Sequence, residues 1–289
     1  MFIQIIISGL IMGCVYGVIA LGYSNIYKAS GLMSLVQGDM LMVGAFIGLT
    51  LFKSMNVPII PTLIITMILM FAIGWIVQHY AVTRLLNRGA QFAYVILLTL
   101  AIGMVFQNGA MLIWSNKTEY APPIFGVSTI KLGSIVLPPE SLLVVFLAIV
   151  MMSSLAIFLK STKFGIAMRA AALDQIAANA MGINVPLTKG ITWGISAAMA
   201  GGVGVVLGPL WGVSASMGIV IGLKGFSSAV AGGYGNMYGA IIGGLIFGML
   251  EQFVTAYISS TYKDLISFGV LIIILTIMPT GIFKAKILE

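Results

Sequence analysis

The sequence predicts an all-α, polytopic membrane protein of about eight to ten transmembrane helices, and three observations point there. Hydrophobic residues make up 60 % of the chain and charged residues 7 %, with a mean hydropathy of +1.14. A soluble domain of this length needs far more polar side chains to cover its core. The apolar residues come in runs of about 20, the length that carries a helix across a bilayer core roughly 30 Å thick. Glycine is abundant, at 35 residues, and much of it recurs at every fourth position, which lets helix backbones approach closely in lipid.

In chain order, the apolar runs cover 2–23, 32–52, 59–80, 92–114, 141–159 and 187–210, followed by three less regular ones at 214–233, 237–257 and 265–278. The first lacks the basic residues and small-residue cleavage site of a secretory signal, so it is expected to be a retained span. The run 214–233 contains Lys224 and several glycines, which predicts a re-entrant or broken helix. Glycine ladders at Gly9, Gly13 and Gly17, at Gly44 and Gly48, at Gly190 and Gly194, at Gly204 and Gly208, at Gly235, Gly239 and Gly243, and at Gly244 and Gly248 predict close helix pairs. Tight packing is one reading of them, and smooth faces that slide during alternating access are the other.

Orientation follows from the basic residues, which accumulate in cytoplasmic loops. With 160–186 inside, alternation also places Lys28, Arg84, Arg88, Lys160, Lys163, Arg169, Lys189, Lys284 and Lys286 inside, and Lys53, Lys117, Lys131 and Lys263 outside. The net charge of +7 therefore reports topology, and no nucleic-acid partner is expected.

The longest polar interruption, 160–186, predicts a short amphipathic helix from Arg169 to Met181 that ends at Gly182. Leu173, Ile176, Ala177 and Ala180 share one face, and Arg169, Asp174, Gln175 and Asn179 lie elsewhere. Such a helix between spans either lies in the lipid headgroups or fits a groove on a soluble partner.

The missing chemistry is as informative. One cysteine, Cys14, and one histidine, His79, give no basis for a metal site or a cofactor. His79, near the end of a span, reads as an interfacial hydrogen-bonding residue. No phosphate-binding Gly-x-x-x-x-Gly-Lys-Ser/Thr loop occurs, so the chain is not expected to hydrolyse ATP or to be an enzyme. Intramembrane charge is sparse: Asp39 beside Gln37, then Lys224 and Glu251, each either a functional group or a buried anchor. A solute that crosses without sticking calls for weakly polar walls. The candidates are Ser34, Gln37, Gly38 and Asp39; Thr99 and Gly103; and Gly222, Lys224, Gly225, Ser227 and Ser228.

Several motifs together resemble one family. They are Gly13-x-x-Tyr16-Gly17-x-x-Ala20-Leu21-Gly22, Gln37-Gly38-Asp39, Leu98-Thr99-Leu100-Ala101-Ile102-Gly103, and Lys163-Phe164-Gly165 through Arg169 to Met181-Gly182-Ile183-Asn184. Further on come Gly222-Leu223-Lys224-Gly225-Phe226, Ala231-Gly232-Gly233-x-Gly235 and Pro279-x-Gly281-Ile282-Phe283. The chain resembles, nearly end to end, the permease subunits of ABC importers for branched-chain amino acids, of the type carrying the Gly-Leu-Lys motif. The resemblance implies a single permease domain over 1–289 in the bacterial or archaeal cell membrane, with a cytoplasmic coupling loop at 160–186. It also implies a second, paralogous permease, two ATPase subunits and an extracytoplasmic solute-binding protein as partners. ATPase coupling would fall to Lys163, Phe164, Gly165, Arg169, Leu173, Asp174, Ile176, Ala177, Met181 and Gly182, with Leu173 and Ile176 in the partner's groove and Arg169 and Asp174 at its rim. Where relatives often carry Asn-Phe-Ala-His-Gly, this chain reads Ser34-Leu35-Val36-Gln37-Gly38, which leaves the solute open. Relatives also move urea, short amides and other apolar amino acids. An ATP-independent channel or secondary transporter is the competing class, and inverted repeats with interrupted helices would favour it. The only echo in the sequence, Met12 to Gly17 against Asn236 to Gly239, is too short to count.

Overall fold

The computed structural model describes residues 2–126, 129–132 and 135–283. Lys284, Lys286 and the side chain of Lys131, all used in the charge reading, lie outside what is described. The described residues form α1 (Phe2–Ser30), α2 (Gln37–Leu49), α3 (Ile59–Ile76), α4 (Thr83–Asn87), α5 (Phe92–Trp114), α6 (Pro139–Ser161), α7 (Lys163–Leu173), α8 (Gln175–Ala180), α9 (Val185–Trp211), α10 (Met217–Gly232), α11 (Met237–Tyr257) and α12 (Lys263–Ile277). A π-helical turn at Thr50–Ser54 extends α2, and another at Val77–Val82 joins α3 to α4. An antiparallel hairpin of β1 (Ile130–Leu132) and β2 (Ile135–Leu137) precedes α6.

The apolar runs all become helices, and six of those helices are long and apolar enough to cross a membrane: α1, α3 with α4, α5, α6, α9 and α11. The remaining runs form α2, α10 and α12. The 214–233 run is one continuous helix rather than a broken one, and its 16 residues span only about 24 Å, short of a full crossing.

Two long helices, α1 and α9, form the buried axis of the bundle. The lipid-facing sides of α3, α5 and α6 instead expose Ile64, Ile68, Leu97, Met104, Phe146 and Ile149, as expected when the solvent is hydrocarbon. The contacts obey an internal two-fold pattern: α1 packs on α10 and α11, α9 packs on α2 and α3, and α2 meets α10 between them. In both halves a long helix is followed by a non-helical return, 31–36 or 212–216, and then by a short helix. The helices α1 and α9 run in opposite directions, so the halves are inverted. The repeat pairs α1–α3 with α9–α11, a correspondence that the short sequence echo did not reveal.

Close packing explains the glycines. A methyl group at Gly13 would lie 2.8 Å from the Leu245 Cα, and Gly244 and Gly248 of α11 back onto Gly17, Gly13 and Gly9 of α1. Gly44 meets Gly201 across α2 and α9. These contacts are the small-residue interfaces by which helices associate without a hydrophobic driving force.

The two ends of the bundle differ in charge. Lys28, Lys160 and Arg169 line one cavity at one end. At the other, Lys53 pairs with Glu119 at 2.8 Å, and Glu119 bridges to Val213.

Candidate functional site

The first group of polar residues gathers where α2 and α10 begin. After α1 the chain turns at Gly31, whose φ of +70° is a left-handed conformation that glycine adopts without strain, and returns into the bundle. The Leu35 N–H donates to Thr99 Oγ1 at 3.2 Å. Gln37 Nε2 donates to the Ser196 carbonyl at 2.5 Å, and Asn25 Nδ2 donates to Ser196 Oγ at 3.1 Å. Gly38 backs onto Gly218 and Gly222, while the Asp39 carboxylate lies against Gly103 and Gly218. Residues of three separate runs, Ser34 with Gln37, Gly38 and Asp39, Thr99 with Gly103, and Gly222, are thus brought together and buried.

Two features mark this centre. Among the described residues, the buried Ser34 Oγ and Asp39 Oδ1 have no hydrogen-bond partner, an expensive condition for polar atoms out of water. Neither α2 nor α10 has a side-chain cap, at Val36 or at Ser216. The start of α2 therefore presents first-turn N–H groups and partial positive charge inside the bundle, whereas α10 starts from the exposed Ser216, with the Met217 N–H bonded to the Ser214 carbonyl, and brings Gly218 of its first turn against Asp39. A carboxylate beside the uncapped start of α2 offers complementary charge to both ends of a small zwitterion.

Lys224, Gly225, Ser227 and Ser228 do not belong to that centre, contrary to their assignment as one pathway segment with Gly222. Gly225 packs on Ile19 of α1. The Ser227 and Ser228 hydroxyls donate to the carbonyls of Leu223 and Lys224 in their own helix. The Lys224 ammonium lies 2.5 Å from Glu251 and 2.9 Å from Asp264, Lys263 reaches Glu251 at 3.3 Å, and the Tyr16 hydroxyl donates to Glu251 at 2.5 Å. The reason is helical geometry: Gly218 and Gly222 share a face toward α2, whereas Lys224 and Ser228 point toward other neighbours. Reading the residues as a linear segment merged the two faces. The Lys224–Glu251 pair was detectable as two opposite charges in apolar runs, each costly alone. Tyr16, Asn25, Ser196, Lys263 and Asp264 carried no comparable signal.

The second group lies on the polar interruption, where the structure corrects the expected single helix. Lys163 to Leu173 forms α7 and Gln175 to Ala180 forms α8, with a break at Asp174. Asp174 takes an extended backbone, and its carboxylate accepts from the Ile176 and Ala177 N–H groups at 2.8 and 3.0 Å. It is an N-cap, and the aspartate's preference for capping over continuing a helix causes the break. Thr162 caps α7 through the Gly165 N–H at 2.9 Å. Gly182 closes α8 at φ +84°, with its own N–H bonded to the Asn179 carbonyl and that of Ile183 to the Ala178 carbonyl, a Schellman ending.

Ala171, Ala178 and Val185 form a small core that folds α8 back onto α9, and Lys189 Nζ donates to Gln175 Oε1 at 2.8 Å. What stays outside is apolar: Leu173 is 77 %, Ile176 84 % and Met181 83 % exposed, with Ala177 exposed beside them. Lys163 and Phe164 are also exposed, whereas Gly165 is buried against Phe158 and Leu159 of α6. Arg169 faces the end cavity, so it and Asp174 are not a matched polar rim. His79, expected at the membrane interface, is exposed and stacks on Trp75 with ring centroids 5.0 Å apart.

A bundle of membrane-length helices with an inverted repeat, a buried polar centre and an exposed apolar ridge between spans defines a multi-pass membrane permease. The pattern of the family described as branched-chain amino acid transport system / permease component matches residues 5–275, and the chain belongs to that family. It is 32 % identical to the high-affinity branched-chain amino acid transport system permease protein LivH of Salmonella typhimurium, over 97 % of this chain and 95 % of that one. It is 31 % identical to the corresponding BraD of Pseudomonas aeruginosa, with the same coverage. The fold is also similar to that of PsaBC from Streptococcus pneumoniae in complex with Fab, with a TM-score of 0.51 at 17 % identity over 94 % of this chain and 91 % of that one. Because the chain belongs to an ABC-type permease family, its inverted repeat does not favour the ATP-independent class.

Proposed function

We infer that this chain is the membrane-spanning permease subunit of an ABC importer that moves branched-chain or related apolar amino acids into the cell. The observation that carries the reading is the ridge of Leu173, Ile176, Ala177 and Met181. It is fully apolar, held in place by caps at Thr162, Asp174 and Gly182, and left uncovered at the basic end of the bundle. That end is cytoplasmic by the distribution of lysine and arginine. An apolar ridge of this kind suits a hydrophobic groove on a soluble subunit. The partner is an ATPase, one beneath this chain and one beneath a second permease, with an extracytoplasmic binding protein delivering the solute.

Transport is then a conformational cycle with no covalent step in this chain. ATPase closure pushes on α7 and α8. These are tied to α9 by the Ala171–Ala178–Val185 core and to α6 by Gly165, so the push reaches the axis of the bundle. There the solute's ammonium meets Asp39, and its carboxylate meets the uncapped start of α2. Urea or a short amide, the alternative solute class, carries no charge for Asp39 to select.

Uptake of radiolabelled leucine by the complete transporter in vesicles tests both parts. Leu173→Asp should leave the chain in the membrane but abolish ATP-dependent uptake and weaken ATPase co-purification; normal uptake and association would sink the coupling assignment. Asp39→Asn should lower leucine uptake by about tenfold, the worth of one lost charge-assisted contact. Competition by urea that exceeds competition by leucine would transfer the function to the alternative class.

A further inference from the structure

A cavity of about 330 Å³ opens at the cytoplasmic end, between the last turns of α1 and α6, the middle of α7 and the first turns of α11. Its mouth carries Lys28, Lys160 and Arg169, and among the described residues none of the three has a carboxylate partner. Lys28 lies in the last turn of α1 and Lys160 in the last turn of α6, so both sit at the level where these helices leave the membrane. Deeper in, Leu21, Met152, Ala156, Ile157 and Ile241 make apolar walls, with Asn25 of α1 as a polar group among them. Ile157 is itself exposed, and Ile149 and Val150 continue that exposed face along α6, which links the cavity sideways to the hydrocarbon.

We propose that this cavity is a binding site for an anionic phospholipid of the cytoplasmic leaflet. The phosphate headgroup sits among Lys28, Lys160 and Arg169, and an acyl chain lies along Met152, Ala156 and Ile157. Basic pockets between helices at this level attract anionic headgroups, with each lysine or arginine near the surface adding to the binding. A soluble acidic partner would account for the cations but not for apolar walls that open onto the lipid-facing side of α6. Because Arg169 lies on α7, an occupied site would brace α7 against α1 and α6, and the lipid would steady the platform that carries the exposed ridge.

The test is native mass spectrometry of the full-length chain in neutral detergent, titrated with phosphatidylglycerol, with phosphatidylcholine, and with phosphatidylglycerol in the presence of millimolar inorganic phosphate. The expected result is selective retention of phosphatidylglycerol that inorganic phosphate does not displace. In the Lys28→Gln/Lys160→Gln double variant, affinity for phosphatidylglycerol should fall by about thirtyfold while weak phosphatidylcholine binding stays unchanged. Ala156→Trp, which fills the apolar part and keeps all three cations, should lower phosphatidylglycerol retention as well, and it decides the matter if the double variant does not fold. Equal retention of both lipids, or phosphatidylglycerol retention that neither variant changes, overturns the proposal. Displacement by inorganic phosphate with no effect of Ala156→Trp also overturns it, by showing a site for the free anion.

Discussion

Glu251 illustrates how much a single residue holds in this membrane setting. It accepts from Lys224 and Tyr16 and lies 3.3 Å from the Lys263 ammonium, and the side chains of Lys224 and Glu251 are only 5 % and 2 % exposed. Removing one partner of such a pair unbalances the buried charge, at a cost of up to about 3–5 kcal/mol that the half-exposed Asp264 beside Lys224 offsets in part, whereas replacing both with apolar side chains is often close to neutral. Glu251→Gln should therefore lower the thermal midpoint of the detergent-solubilised chain strongly, and Lys224→Met with Glu251→Leu should recover most of the loss. If the double variant is as unstable as the single one, the pair is not the source of the effect. Gly182 poses a different residue-scale question, because its φ of +84° is strained for any side chain with a Cβ. Gly182→Val should destabilise the end of α8 by about 1–2 kcal/mol, read as faster hydrogen exchange at Met181 and Ile183 with the rest of the bundle unchanged.

At the scale of elements, legibility depended on whether the signal was local. Helix positions follow from apolar runs, and the break before α9 follows from Gly182, Asn184 and Pro186, all local chemistry. The break at Asp174 was also local, but helix-forming neighbours on both sides masked it, and only the cap geometry separates α7 from α8. The polar centre was half legible: Ser34, Gln37, Asp39, Thr99 and Gly103 stand out as polar or small residues in apolar runs. Which face of α10 meets them depends on tertiary packing that no run reveals. The glycine ladders gave the interface type without the partner, since Gly13 and Gly248 are far apart in sequence and in backbone contact in space. Their close approach makes a sharp prediction. Gly248→Leu would drive a side chain into the backbone of Gly13 and Gly9, costing about 1–3 kcal/mol or more in overpacking, so expression and thermal stability should fall. Gly109, with open space around its Cβ position, should tolerate alanine with no such loss. Equal tolerance at both positions would mean that α1 and α11 do not pack through these glycines.

For the whole molecule, the question is what one chain can and cannot do alone. Among the described residues it offers a single ridge, on α7 and α8, for an ATPase to grip, whereas an ATPase dimer that closes on nucleotide needs one such element beneath each half. The working unit should therefore contain two permease chains. A symmetric dimer is the default for oligomers, while membership in a branched-chain amino acid permease family supports a paralogous second chain. The internal inverted repeat does not replace that second chain, because inversion relates opposite ends of the bundle and so would put any counterpart of the α7–α8 platform at the end away from the ATPases. In vesicles, this chain alone should give neither ATP hydrolysis nor concentrative leucine uptake, and adding ATPase subunits without the second permease should still give none. Uptake with the ATPases alone would show that the core is a homodimer built from this chain. Concentrative uptake by this chain alone, driven by an ion gradient, would instead mean that the inverted repeat works as a carrier by itself and that the exposed ridge has some use other than coupling.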